Sequence, residues 1–224
     1  MIGLQILQRQ RAVGLDLAKR YLDVPVANVS DCMARMSAGG AHLRPMHGGG
    51  RMAGPALTVK TRPGDNLMIH KALQLARPGD VIVVDAGGDL TNALIGEIMV
   101  GDAVRRELGG FVIHGAIRDA GAIRAGAFPV FAAGVTHRGP YKDGPGEINV
   151  PVALNGMVIE PGDLMIGDDD GLLCVPYAEA EALLAAALQK QEVEAQMVAE
   201  IANGTYRAPW IDETLRRLNC PVQE

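Results

Sequence analysis

The sequence predicts an α/β fold built on a mixed β-sheet with helices on both faces. Three observations carry that expectation. Short apolar runs ending in acidic or glycine-rich turns alternate with longer amphipathic stretches, as buried parallel strands and their crossover helices do. Glycine (28) and proline (13) punctuate the runs. Two late apolar runs flank an Asp-Asp-Asp-Gly turn, the pattern of a hairpin. Strand–helix–strand units followed by a hairpin give a mixed sheet rather than a purely parallel one.

The elements follow in chain order. Residues 51–61, RMAGPALTVKT, read as a strand, and residues 65–76 as a helix with Leu67, Ile69, Leu73 and Leu75 on its buried side. VIVVDAGG, residues 81–88, is a buried strand running into a glycine-rich turn. A helix is expected from Thr91, because Leu94, Ile98, Gly101, Val104 and Leu108 recur at helical spacing. Residues 111–114 read as a strand, 115–119 as a turn before a short helix, and 128–132 as a further strand. The hairpin pairs residues 164–167 with 172–175. Residues 177–201 form a long helix rich in alanine, glutamate and glutamine, with Leu183, Leu184, Leu188, Val193 and Met197 along it. No repeat or linker breaks the series, so a single domain over residues 1–224 is expected, extended by helices at both ends.

Composition narrows the function classes. Hydrophobic residues make up 48 % and charged residues 21 %, as in a folded globular protein. The net charge of −5 and an aromatic content of 4 % supply neither the basic footprint nor the stacking platforms of a nucleic-acid binder. Cys32, Cys174 and Cys220 are far apart and form no CxxC pair, so neither a disulfide framework nor a thiolate zinc site is expected. The N-terminus has no signal-peptide pattern and no apolar run is long enough to span a bilayer. A cytoplasmic protein with no nucleic-acid or membrane partner is expected.

In such sheets ligands collect beyond the carboxyl ends of the strands. Two loops of that kind stand out, residues 85–91 and 115–119, and the strands before them are candidates to lie side by side. The glycines of DAGGDLTNALIGEIM would let backbone N–H groups approach an anion, and a helix start adds unpaired donors. Arg118 offers a two-point fork to a carboxylate or enolate, and Asp119 an oxygen ligand for a hard cation. Asp168, Asp169 and Asp170 read as a solvated hairpin turn. His42, His47, His70, His114 and His137 show no metal-ligand spacing, although His137 sits in a polar Gly/Pro-rich loop of the kind that folds over sites. Ser30 and Ser37 lack a nucleophile-elbow context.

The series GPALTVKT, GDN, GDVIVVDAGG, Gly96-Glu97, GFVIHGAIRD and GDLMIGDDDGLLCVP resembles the RraA-like family from about residue 51 to 176. The family pattern is a glycine, Arg-Asp roughly twenty residues on, and an acidic residue after two more positions; Gly96 and Arg118-Asp119 match, while Ala122 stands at the acidic position. The resemblance implies a three-layer sandwich with a mixed sheet, related to swivelling phosphohistidine domains and assembled as homotrimers or homohexamers. It also implies a divalent-metal-dependent lyase that cleaves a 4-hydroxy-2-oxo acid to pyruvate by retro-aldol chemistry and decarboxylates oxaloacetate. The cofactor would be Mg²⁺, Mn²⁺ or another divalent cation. By resemblance, the backbone of Gly96, Glu97, Ile98 and Met99 would bind substrate, Arg118 would contact it, Asp119 would ligate the metal, and Glu97 would sit in the metal's outer sphere. Arg118 and Glu97 are the expected catalytic residues, with the general base open between Glu97 and a water on the cation.

Two other functions compete. One branch of the family comprises non-enzymatic regulators that bind ribonuclease E, and the replacement of an acid by Ala122 suits that branch. VIVVDAGG also has the look of an S-adenosylmethionine-binding loop, but His114 stands where a methyltransferase would carry its acid. The C-terminal part bears on assembly: Trp210 is a candidate contact anchor, and Glu192, Glu194 and Glu200 are candidates to reach a neighbouring subunit's metal.

Overall fold

A computed structural model describes residues 3–221, and these divide into two units with the break after Ala187. The first unit contains β1 (Leu4–Ile6), α1 (Leu15–Arg20), α2 (Val26–Cys32), β2 (Arg44–Pro45), β3 (Met52–Thr61), α3 (Leu67–Leu75), β4 (Val81–Asp85), β5 (Ala93–Ile95) and α4 (Glu97–Arg105). It continues through β6 (Gly110–Ile117), α5 (Ala120–Ala125), β7 (Val130–Val135), β8 (Gly146–Ile148), β9 (Val152–Leu154), β10 (Met157–Ile159), β11 (Leu164–Asp168) and β12 (Gly171–Val175). The unit break falls within α6 (Ala180–Ala202), and α7 (Pro209–Arg217) lies in the second unit.

Among the described residues one sheet runs in the order β1-β8-β3-β4-β6-β7-β2. Its centre, β3-β4-β6-β7, is parallel, while β8 and β2 pair antiparallel with β3 and β7. The β11–β12 hairpin adds to the start of β3 through Gly167↔Met52 and Leu164↔Pro55. The mixed sheet is therefore as expected, and β4 and β6 do lie side by side, from Val81↔Gly110 to Asp85↔His114.

Central strands are buried on both faces because their apolar residues alternate between two cores. Val81, Val83, Val112 and Phe131 face one core; Ile82, Val84, Ile113 and Ala132 face the other. Helices α3, α4 and α5 cover the second face with Ile69, Leu73, Ala103 and Ile123. The first face is covered by α1, α2 and the start of α6, but also by the β9–β10 and β11–β12 hairpins, so helices share that layer with strands.

Five local expectations are corrected. Leu67 and Leu75 are each 40 % exposed; the buried side of α3 is Met68, Ile69, Ala72 and Leu73. The helix expected from Thr91 starts only at Glu97, because Ala93–Ile95 pair with the end of β6 as a strand. Within α4 the buried residues are Met99 and Ala103, whereas Ile98 is 78 % and Val104 is 53 % exposed. The strand expected over residues 111–114 runs on to Ile117, and that expected over 128–132 is shifted to Val130–Val135.

In the second unit Glu192, Glu194 and Glu200 lie along α6, Lys190 pairs with Glu194 at 3.0 Å, and Trp210 is an exposed residue of α7. The three cysteines are free, and among the described residues no helix is long and apolar enough to cross a membrane.

Candidate active site

In the loop after β4 the glycine amides turn inward. The N–H of Gly87 donates to Asp85 Oδ1 at 3.0 Å and that of Gly88 to the His114 carbonyl at 3.1 Å, so the two glycine donors are spent internally. Gly88, at φ +74, also lies against the His114 ring, where a β-carbon would crowd Nε2. His114 Nδ1 stands 3.4 Å from Asp85 Oδ1. Burial alone would raise the Asp85 carboxyl, but His114, the Gly87 amide and Lys60 hold it below the ordinary carboxylate range.

The site forms one strand further on. β4 pairs with β6 only as far as His114; beyond it, β5 takes over the same edge through Ala93↔Ala116 and Ile95↔Ile117. That handover sets the end of β5 against the end of β6, and the Arg118 N–H donates to the Ile95 carbonyl at 3.0 Å. Gly96, the residue before α4, is thereby placed on Arg118 and Asp119: a β-carbon there would overlap Asp119 Oδ2 and lie 3.0 Å from Arg118 Cγ. Asp119 has φ +55, an uncommon conformation for a residue with a side chain and one that clusters at functional sites. Its Oδ2 accepts the Glu97 N–H at 3.1 Å and stands 3.7 Å from Arg118 Nε.

Gly96, Ile98, Met99, Arg118 and Asp119 line one cavity of about 330 Å³, in the range of small-ligand sites. Glu97 is not among the lining residues. Its side chain is exposed and its amide holds Asp119. The Met99 N–H donates to the Gly96 carbonyl at 3.1 Å. Two of the four amides expected to bind substrate therefore have internal partners.

The lining also includes Asn66, His70 and Lys142, none of which the sequence reading placed at the site. Asp65 brings them together. It is fully buried, accepts from the Leu67 N–H at the start of α3, and accepts from the N–H groups of Asp143 and Gly144 at 2.7 and 2.8 Å. This carboxylate ties the start of α3, which carries His70, to the loop that carries Lys142. Burial would raise its pKa, but those backbone donors and Arg62 hold it below the ordinary range. Further bonds fasten the same loop: Asn66 N–H to Tyr141 O at 3.0 Å, and Ala93 N–H to Arg138 O at 2.8 Å. Gly139, Pro140 and Lys142 of this polar loop line the cavity, whereas His137 is exposed outside it. Burial, and then the charge of Lys142, lower the His70 pKa, so the ring is neutral at neutral pH.

Ala122 lies elsewhere. It borders an apolar depression with Val100, Val104, Ile123 and Phe128. The Asp168–Asp170 segment is the turn it was expected to be, with Asp168 accepting from the N–H groups of Val26 and Asp170. His47 is buried, with its ring nitrogens bonded to Val130 and Gly50 backbone groups.

Comparison with known proteins decides the family, since the RraA-like family, described as Aldolase/RraA, matches residues 26–174. The chain belongs to the RraA-like family. A Halalkalibacterium halodurans protein provisionally named a 4-hydroxy-4-methyl-2-oxoglutarate aldolase is 40 % identical over 177 residues, covering 79 % of this chain and 84 % of that protein. The Thermus thermophilus 4-hydroxy-4-methyl-2-oxoglutarate aldolase is 35 % identical over 129 residues, covering 58 % of this chain and 78 % of its own. The solved RNA-processing inhibitor RraA of the same genus and species is 31 % identical with a TM-score of 0.64, over 69 % of this chain and 93 % of its own. This RraA-like chain therefore shares its mixed α/β fold with relatives named for aldolase activity and for inhibition of RNA processing.

Proposed function

We propose that this RraA-like protein is a divalent-cation-dependent lyase that cleaves a 4-hydroxy-2-oxo acid to release pyruvate, and that also decarboxylates oxaloacetate. The observation that carries the reading is the convergence of Gly96, Arg118 and Asp119 on one cavity whose lining adds a second cation, Lys142, and a neutral imidazole, His70. Relatives at 35–40 % identity named as aldolases support it.

The donor chemistry fits a hard cation. Asp119 supplies a carboxylate at the cavity, the exposed side chain of the neighbouring Glu97 would add a second, and the Met99 thioether in the lining faces the Asn66 amide. Among the described residues no group of three or more His, Cys, Asp and Glu could cage a metal. One or two carboxylates completed by water and substrate oxygens is the manner in which Mg²⁺ is held. When bound, the cation supplies Lewis-acid polarisation of the 2-oxo group.

The chain's own residues do the rest. Both reactions leave pyruvate enolate, and Arg118 sets a fixed guanidinium beside the developing charge, a contribution typically worth about 2.7–4 kcal/mol. Gly96 lets Asp119 and Arg118 close on the start of α4, whose positive end suits the substrate carboxylate. Lys142 takes the distal carboxylate of a dicarboxylic substrate. His70, held neutral, is able to accept a proton.

Assembly into trimers belongs to the same proposal. The outer side of α4 exposes Ile98 and Val104, and the depression bordered by Val104, Ala122 and Phe128 continues it. An exposed apolar stripe on the side of α4 away from Met99 and Ala103 suits a contact between copies. Sedimentation should then give three or six protomer masses, and a stable, active monomer would remove this part of the reading.

The likeness to the Thermus thermophilus RNA-processing inhibitor favours a second reading, a regulator that binds ribonuclease E without turning over a small molecule. Incubation with oxaloacetate and Mg²⁺, followed for pyruvate, separates the two: cation-dependent pyruvate release supports the lyase, and none above the protein-free rate supports the regulator.

A further inference from the structure

One residue that lines the cavity carries a buried polar atom with no hydrogen-bond partner among the described residues. Asn66 is 3 % exposed and borders the cavity. Its Nδ2 donates to the Leu94 carbonyl at 2.9 Å, while its Oδ1 is buried with no hydrogen-bond partner among the described residues. The donation to Leu94 fixes which end of the amide is which, because a flip would set two oxygens against each other. The residue is also held in place by its backbone, through Asn66 N–H to Tyr141 O at 3.0 Å and His70 N–H to Asn66 O at 3.1 Å. Buried polar atoms in folded proteins are nearly always bonded. An orphaned acceptor on a rigid frame at a ligand cavity marks the place of a ligand's donor.

The chemistry of the donor follows from the substrate class. At neutral pH the carboxylates and the 2-oxo group of these acids only accept hydrogen bonds. The one O–H in a 4-hydroxy-2-oxo acid is its 4-hydroxyl; pyruvate and the 2-oxo form of oxaloacetate have none. Resting on the lyase reading above, we propose that Asn66 Oδ1 accepts the hydrogen bond of the substrate's 4-hydroxyl, making Asn66 the residue that selects hydroxylated 2-oxo acids for cleavage.

That contact sits at the reacting end of the substrate. In cleavage the C3–C4 bond breaks and its electron pair passes to the pyruvate fragment as the enolate. The 4-oxygen becomes the carbonyl of the second product, and the hydroxyl proton leaves to a base. An amide oxygen is too weak a base to keep that proton. Asn66 therefore orients the O–H, and His70, one turn further along the same face, receives the proton. The enolate carbon then takes a proton from solvent to complete pyruvate. Decarboxylation of oxaloacetate involves no hydroxyl and does not call on Asn66.

The test compares two reactions in one protein. With Mg²⁺ present, kcat/KM is measured for cleavage of 4-hydroxy-4-methyl-2-oxoglutarate and for decarboxylation of oxaloacetate, in the wild type and in Asn66→Leu. The expected result is a loss for cleavage at least about 30-fold greater than the loss for decarboxylation, since both reactions bear the lost bond to Leu94 but only cleavage bears the lost hydroxyl contact. Equal losses in both reactions, or no loss in either, would overturn the inference. Should Asn66→Leu fail to fold, the wild type alone decides: 4-methyl-2-oxoglutarate, which lacks the hydroxyl, should compete with oxaloacetate at least about tenfold more weakly than the hydroxylated acid. Equal competition would mean that Asn66 Oδ1 serves only water and would sink the idea. A wild type that turns over neither acid removes the lyase reading itself, an outcome distinct from an active wild type with an indifferent Asn66.

Discussion

Replacing Gly96 by alanine isolates the geometry on which the site depends. Gly96 is extended, at φ −151 and ψ −169, a conformation alanine adopts freely, so any effect must come from the added methyl. That methyl would overlap Asp119 Oδ2 and lie 3.0 Å from Arg118 Cγ and 3.2 Å from Arg118 Nε. Restoring ordinary contact requires the carboxylate to withdraw by about 1 Å. The bond from the Glu97 N–H to Asp119 Oδ2 is lost with it. A misplacement of about 1 Å at reacting groups can cost about 100-fold, equivalent to ~2.7 kcal/mol in the barrier. Stability should change little. The Arg118 and Asp119 side chains are 43 % and 37 % exposed and have room to move outward, and alanine restricts the unfolded chain by about 0.4–1 kcal/mol in the folded state's favour. The assay pairs kcat/KM for pyruvate release with a denaturant titration. A folded Gly96→Ala variant within about threefold of wild-type activity would refute the argument that Gly96 places Asp119 and Arg118.

Arg118→Lys keeps the charge but loses the planar fork, so kcat should fall about 10²–10³-fold; a variant within a few fold of wild type would show that Arg118 is only a surface cation. Lys142→Met should raise KM for a dicarboxylic substrate about tenfold with kcat much less affected, and an unchanged KM would take Lys142 out of substrate binding. Asp65→Asn should destabilise the fold by at least about 2 kcal/mol at neutral pH, because its amide faces the N–H groups of Asp143 and Gly144. The wild-type carboxyl is held below its ordinary value of 3.8, so its contribution is complete above that pH and is lost as pH falls through the lowered value. Acid unfolding curves should therefore converge below pH 3.8 for the two proteins, and parallel curves would contradict the role given to Asp65.

The parts of the fold legible in the sequence were those with a dense local pattern. β3, β4 and the β11–β12 hairpin are apolar runs closed by glycine or acidic turns, and their bounds lie within a residue of the expected ones. β5 was not legible, because three residues are too few to show a period of two, and Leu94 falls four positions before Ile98 as a helix would place it. The face of α4 was misjudged for a related reason. The helix is apolar on two sides, and sequence alone does not say that Met99 and Ala103 meet the core while Ile98 and Val104 stay outside. Arg118 and Asp119 were legible as the turn after a readable strand, and Gly96 was joined to them through the family pattern. Asn66, His70 and Lys142 were not legible, since what joins them is a long-range set of bonds to Asp65 that leaves no periodic trace. The replacement at Ala122 looked like a loss to the site; in the fold that position borders the apolar depression beside α4, outside the cavity.

The central claim is that one cavity, with Asp119 and Arg118 at its edge, releases pyruvate with the help of a divalent cation. The most direct measurement is pyruvate production from 4-hydroxy-4-methyl-2-oxoglutarate by metal-stripped protein, before and after Mg²⁺ or Mn²⁺ is added back, alongside Asp119→Ala under the same conditions. The account predicts no release from the stripped protein, recovery on adding either cation, and no recovery in a folded Asp119→Ala variant. Full activity after exhaustive chelation, or an Asp119→Ala variant that matches the wild type, would contradict it.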